Sequence, residues 1–226
     1  MDYPRPSSRI TQDMRTRADA VVVRFSEFFP KDPTPALHFA NPYQCVVSIS
    51  LSAQTTDVNV NKVTPLLFER YPDTEKLAQA SQTDVETIIH SLGFFHNKAK
   101  NIIALAQKIQ SDFGGEIPET MPELITLPGV ARKTANLVLA ESFHVTAGIA
   151  IDTHVFRVSH RLGLSDAATP EKTEGDLCAV FPQEQWRMVN FWMINMGRQI
   201  CDARKPRCVT CFLSDICPKK GVANIA

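Results

Sequence analysis

Leu124-Ile125-Thr126-Leu127-Pro128-Gly129-Val130-Ala131-Arg132-Lys133-Thr134-Ala135 reads as a short helix, a tight turn and the start of a second helix. Pro128 cannot continue the first helix, and Gly129 relieves the backbone where the chain reverses. The second helix then opens with unpaired N–H groups and the positive end of its dipole. That is a seat for a phosphate, and it binds nucleic-acid backbone without reading bases. An ordinary helix–turn–helix corner has the same outline, and only the surrounding chain separates the two. Lys133 falls in the first turn of the second helix. Most lysines are solvated surface residues, but a cation at the positive end of a helix dipole is disfavoured. The free amine is then favoured, a nucleophile suited to Schiff-base chemistry.

Outward from this hairpin, helical periodicity dominates and no run shows convincing strand alternation, so the fold class is all-α. Helices are predicted over roughly 11–29, 41–53, 55–70, 74–80, 82–92, 96–113, 120–126, 131–143, 153–162, 170–180, 184–200 and 208–214. Pro30, Pro33 and Pro35, Pro72, Gly93, Gly114-Gly115, Gly148, Gly163, Pro170 and Pro182 punctuate the joints. Thr74, Ser81 and Thr169 read as N-caps.

Ile149-Ala150-Ile151-Asp152-Thr153-His154-Val155-Phe156-Arg157-Val158 is an apolar lead-in that delivers Asp152 to the start of another helix. Asp152 there is a natural N-cap, and the helix terminus also keeps its carboxylate ionised. An ionised carboxylate can stabilise a cationic intermediate or act as a base. His154 has no flanking partners to make it a metal ligand and reads as a supporting or phosphate-contacting group.

Near the C-terminal end, Cys201, Cys208, Cys211 and Cys217 are separated by six, two and five residues. Four thiolates so close in sequence can saturate a structural zinc or the corners of an iron–sulfur cubane, and the spacing alone admits both. Disulfides are the weaker reading: Asp2, Arg5, Arg9, Asp13, Arg15 and Arg17 interrupt any apolar export segment, which points to the reducing cytoplasm. Cys45 and Cys178 lie in apolar surroundings and read as small buried hydrophobes. No stretch of uncharged apolar residues is long enough for a membrane span. Lys and Arg total 24 against 24 Asp and Glu, which argues against a chain coated with positive charge but not against a local patch. Arg198, Arg204, Lys205, Arg207, Lys219 and Lys220 form such a patch, countered only by Asp202 and Asp215.

A proline-glycine hairpin with Lys133, an apolar-Asp-Thr-His segment and the C-x6-C-x2-C-x5-C run, in that order, resemble the endonuclease III family of DNA glycosylases in the helix-hairpin-helix superfamily. Leu51-Ser52-Ala53-Gln54-Thr55-Thr56-Asp57 and Gly93-Phe94-Phe95-His96-Asn97-Lys98-Ala99 match family segments too, so the likeness covers nearly the whole chain. The resemblance implies a six-helix barrel domain over 35–146 and a discontinuous domain, 1–34 with 147–226, holding a [4Fe-4S] cluster on the four cysteines. It implies removal of oxidised pyrimidines from double-stranded DNA and strand cleavage at the abasic site, by a monomer in the cytoplasm (on the nucleoid in a bacterium).

By the same resemblance Lys133 is the nucleophile and Asp152 the essential carboxylate. Gln54 fills the space of the extruded base and Phe94 wedges into the stack. Gly129, Ala131, Arg132 and His154 contact DNA, and Arg204, Lys205 and Arg207 meet phosphates. Two positions depart from the family pattern: Ala131 stands where glycine is usual, and Phe94 where leucine is common. Phosphate binding survives Ala131 if that position needs no positive φ. A monofunctional glycosylase would activate water without Lys133, and a non-catalytic DNA-binding relative would bind abasic duplex without nicking it.

Overall fold

Every regular element among the described residues is helical, in a computed structural model that describes residues 3–7, 10–29 and 36–223. The helices are α1 Gln12–Phe28, α2 Pro42–Leu51, α3 Asp57–Arg70, α4 Thr74–Ala78, α5 Gln82–Ile89 and α6 Phe95–Phe113. They continue with α7 Met121–Leu124, α8 Arg132–Ser142, α9 Thr153–Arg161, α10 Pro170–Val180 and α11 Trp186–Gln199, the last entered through a 3₁₀ turn at Gln183–Gln185. The expected pattern is met along the chain up to α11. It fails at 208–214, which is a string of turns closed by bonds such as Ser214 N–H to the Cys211 carbonyl at 2.9 Å. A helix carries side chains round by about 100° per residue. It could not turn thiols at 208, 211 and 217 toward one cavity, whereas successive turns can.

Capping follows local chemistry. Asp73, not Thr74, caps α4 by accepting from Lys76 N–H at 2.8 Å. Thr74 is the first helical residue, and its hydroxyl donates to the Gly115 carbonyl. Ser81 takes the N-cap place of α5 without a side-chain bond, and Thr169 caps α10. The expected joint at Pro30, Pro33 and Pro35, with the domain boundary placed at 35, lies outside the described residues.

The chain divides into two compact units, residues 34–145 and the remainder on either side of them. In the first, α6 buries Ala99, Ile102, Leu105, Ala106 and Ile109 against α2, α4 and α5, while α2 packs on α3 and α8. Each fully buried Ile or Leu contributes roughly 1.5–3 kcal/mol. Cys45 sits fully buried in α2. In the second unit, Phe25 of α1, Val155 and Val158 of α9, Cys178 of α10, and Trp192 and Met193 of α11 share one core with Leu213 of the cysteine loop. Asp176 is fully buried there and accepts from Ser7 N–H at 2.7 Å and from Ser165 Oγ at 2.6 Å. Gly175 lets the backbone at Pro4 and Arg5 pass close by. Together these contacts pin the segment before α1.

Candidate active site and cluster loop

The hairpin is built by two short backbone bonds, Leu127 N–H to the Leu124 carbonyl and Val130 N–H to the Leu127 carbonyl, each at 3.1 Å. Gly129 occupies the left-handed region at φ +77°, where a side chain is strained. Ala131 is the N-cap of α8 at φ −82° and ψ 168°, extended backbone that any residue adopts. The departure from glycine at this position therefore costs no backbone strain. Ala131 offers no side-chain cap, so no N-cap side chain competes with a ligand for the helix start of α8. Lys133 is exposed in that first turn and Arg132 is half-buried beside it.

Besides His144, after α8, the same unit holds two non-glycine residues in the left-handed region: Gln54 at φ +55°, after α2, and Phe94 at φ +59°, the N-cap of α6. Both are exposed, Phe94 by 64%. Such strain persists only where the surroundings over-determine it, and it clusters at functional sites. Gln54, Phe94 and Gly129 all line one cavity of about 260 Å³, with Ser50, Asn97 and Lys98 among its other walls.

In the other unit, Asp152 caps α9. Its Oδ1 accepts from His154 N–H and Val155 N–H, both at 2.8 Å, and its Oδ2 lies 3.1 Å from His154 Nδ1. Both side chains are largely sheltered, at 16% exposure for Asp152 and 28% for His154. The His154 ring packs over Gly197 of α11, where an added Cβ would come within 2.8 Å of His154 Cβ.

Cys201, Cys208, Cys211 and Cys217 line a single apolar-walled cavity with Val158, Leu162, Met196 and Pro206. Among the described residues, no three His, Cys, Asp or Glu side chains converge on a point where they could grip one ion. Four thiolates on zinc would stand about 3.8 Å apart, the edge of a tetrahedron with bonds of about 2.3 Å. A cubane takes one thiolate at each of four separate iron corners, and four cysteines around one cavity supply that donor set. Donors to sulfur are in place: Arg161 Nη1 to Cys201 Sγ at 3.3 Å, Leu213 N–H to Cys211 Sγ and Lys219 N–H to Cys217 Sγ, both at 3.4 Å. Burial raises the pKa of the Cys211 and Cys217 thiols, and ligation to iron reverses that.

The loop between Cys201 and Cys208 is held as a rigid shelf. Asp202 Oδ1 accepts from Arg204 N–H at 2.8 Å and Lys205 N–H at 2.9 Å, bonds that lower its pKa. Arg161 donates to the Asp202 carbonyl at 2.6 Å and the Ala203 carbonyl at 2.9 Å, and Arg157 Nε to the Cys201 carbonyl at 2.9 Å. The side chains of Arg204, Lys205 and Arg207 are exposed.

A model of HhH-GPD superfamily base excision DNA repair proteins matches residues 47–183, and the iron–sulfur binding domain of endonuclease III matches residues 201–217. Endonuclease III of Synechocystis sp. is 48% identical over 204 residues, 90% of this chain and 93% of that protein. Endonuclease III of Escherichia coli K12 is 38% identical over 205 residues, 91% and 96% of the two chains. A solved endonuclease III–DNA covalent intermediate, an estranged-adenine complex, matches with a TM-score of 0.85 at 37% identity, covering 93% of this chain and 97% of that one. The chain belongs to the endonuclease III family of HhH-GPD base excision DNA repair proteins.

As an endonuclease III family member it is a DNA glycosylase and abasic-site lyase, and its four-cysteine loop is the family's iron–sulfur domain, which carries a [4Fe-4S] cluster. When bound, the cluster cross-links four points of the loop, and the residues around it fit that role. Of the basic patch read from sequence, Lys220 is not free: it pairs with Asp166 at 2.8 Å. Asp215 pairs with Arg24 of α1 at 2.9 Å, so it ties α1 to the loop and does not offset the patch. Three residues escaped the sequence reading. Arg157 and Arg161 brace the cluster loop from α9, and nothing in the type or spacing of these two arginines foretells that. Lys98 was legible: positions 98, 102, 105 and 109 share one face of a helix, and that face is the buried one.

Proposed function

We propose that this chain removes oxidised pyrimidines from duplex DNA through an imine on Lys133 and then cleaves the strand at the resulting abasic site. What carries the reading is the hairpin: Gly129 at positive φ, then a helix start with no side-chain cap, and an exposed Lys133 in its first turn. The N–H groups of this helix start take a phosphate of the damaged strand and bring the Lys133 amine to the sugar. The Lys133 nitrogen bonds to C1′ as the C1′–N bond to the base breaks, and the base leaves with its electron pair. Opening of the sugar ring gives a protonated imine between Lys133 and C1′. The imine acidifies the C2′ proton; loss of that proton expels the 3′ phosphate by β-elimination. Asp152 supplies the carboxylate that stabilises the cationic stages and assists the proton transfers.

Gln54 takes the place of the extruded base and Phe94 enters the stack, roles supported by their exposure and by backbone already held in a sparsely populated conformation. Arg204, Lys205 and Arg207 meet phosphates from the shelf, and Arg132 and His154 add backbone contacts. We take the unit of residues 34–145 as the hairpin domain and the remainder as the cluster domain, working as a monomer in the cytoplasm. Among the described residues no helix is long and apolar enough to cross a membrane.

The test is borohydride trapping on duplex carrying one thymine glycol, with wild type beside Lys133→Ala. An adduct with wild type alone is expected. Base release without an adduct would move the chain to water-activating glycosylases, and an adduct formed by Lys133→Ala would place the nucleophile elsewhere.

A further inference from the structure

Lys98 is 6% exposed, its Nζ has no hydrogen-bond partner, and it belongs to the wall of the cavity shared by Gln54, Phe94, Asn97, Asn101 and Gly129. A buried ammonium without a partner is among the costlier things a fold can retain. Burial lowers its pKa, and no carboxylate compensates. The mouth of the cavity is formed by two exposed residues in the left-handed region, Gln54 and Phe94, and α6 opens at Phe94 with no side-chain cap. A partly positive helix start and an unsatisfied cation therefore lie behind the two side chains that the proposed function sends into the duplex. Asn101 connects the cavity to the hairpin, since its side chain lies 3.5 Å from where a Cβ on Gly129 would be.

We infer that this cavity is a binding site for one acceptor oxygen of the distorted DNA, taken by Lys98 once Gln54 and Phe94 engage the stack. The inference rests on the glycosylase reading and adds to it a contact made only by the distorted duplex. The oxygen has two sources of the same chemistry: a phosphate of the kinked backbone, or a carbonyl on a base beside the gap. In either case the cost of the orphaned ammonium and of the two strained turns is offset only in the complex, so Lys98 raises discrimination between damaged and intact DNA.

The experiment compares the cluster-loaded wild type with Lys98→Met, which keeps length and removes charge, by fluorescence anisotropy on duplexes carrying a tetrahydrofuran abasic analogue. Guanine or adenine stands opposite the analogue, each over a salt series, with thermal melting alongside. Lys98→Met is expected to melt a few degrees higher, because an unpaired buried charge is gone. It should also bind the abasic duplex on the order of tenfold more weakly. A loss equal for both opposite bases, with the log–log salt slope flatter by about one, assigns a phosphate. A loss with guanine but not adenine, at unchanged slope, assigns a base carbonyl. Undiminished affinity in every arm overturns the inference and leaves the glycosylase reading standing, as does affinity lost together with a lower melting temperature, the mark of a lysine that only supports the fold. If wild type itself fails to prefer abasic over intact duplex, both readings fall.

Discussion

Asp152 holds α9 with Oδ1 and keeps Oδ2 against His154, and two substitutions separate the holding from the chemistry. Asparagine is as good an N-cap as aspartate, so Asp152→Asn should leave the urea midpoint nearly unchanged. Asp152→Ala should cost about 1 kcal/mol. Base release in single turnover should fall in both, by about a hundredfold or more, because the ionised carboxylate is gone. Normal release by Asp152→Asn would make the residue a cap and nothing else. Asp152 and Lys133 were legible because helix starts announce themselves, through an apolar lead-in for one and Pro128-Gly129 for the other. Phe94 and Gln54 in the left-handed region were not, since no local rule sends phenylalanine or glutamine there. Lys98 went unread for another reason: lysine is assumed to face water even when its helical position places it inward.

At the scale of elements, the hairpin makes opposite demands of two neighbouring positions. Gly129→Ala forces a side chain to φ +77°. Its Cβ would meet only ordinary contact with Asn101, so the cost is strain, about 1 kcal/mol by chemical denaturation. Abasic-duplex affinity should drop with it, because relaxing the turn re-aims the N–H groups of α8. Ala131→Gly should do neither. The better N-cap opposes the greater freedom of the unfolded chain, and the net change should stay within about 0.5 kcal/mol with affinity intact. The cluster loop gives the complementary case. Its backbone is fixed by Asp202, Arg157 and Arg161, so Arg204→Glu with Lys205→Glu should leave the loop standing and weaken DNA binding for every sequence. The slope of log K against log salt should flatten by about 1.8, or about 0.9 for each phosphate no longer neutralised. An unmoved slope would mean that these side chains never reach DNA. Helix extents were readable from periodicity and breakers throughout, and the one failed helix, 208–214, lies where the turns have to present thiols. Periodicity has no knowledge of that demand.

Over the whole molecule charge is balanced, 24 basic against 24 acidic residues, so stability against pH is set by individual environments and not by net repulsion. On the acid side, Glu86 is held low by bonds from Gln82 and His96, and Asp112 by Lys108 and Ser111. A depressed carboxylate contributes stability that is present above its unfolded pKa and lost as pH falls through its folded one. Asp112 is exposed, and Glu86 is half-buried with an exposed His96 as its partner, so the acid limb should be shallow. The alkaline limb has a buried cause. Burial raises the Cys45 thiol to about 11 and pushes the Tyr43 phenol further up, while that hydroxyl donates to the Tyr71 carbonyl at 2.8 Å. The folded state keeps these protons after the unfolded chain has released them, so stability must fall as pH rises from about 9 toward the folded values. Lys98 works in the other sense, since a lowered lysine pKa adds stability as pH rises through it, and so it opposes the fall. The melting temperature of the cluster-loaded protein between pH 7 and 11 should therefore decline above about 9. Cys45→Ala should melt lower at neutral pH, from the cavity it leaves, yet decline less steeply, because one of the two retained protons is gone. Equal alkaline slopes in the two proteins would remove Cys45 from the account and leave Tyr43 alone to carry it.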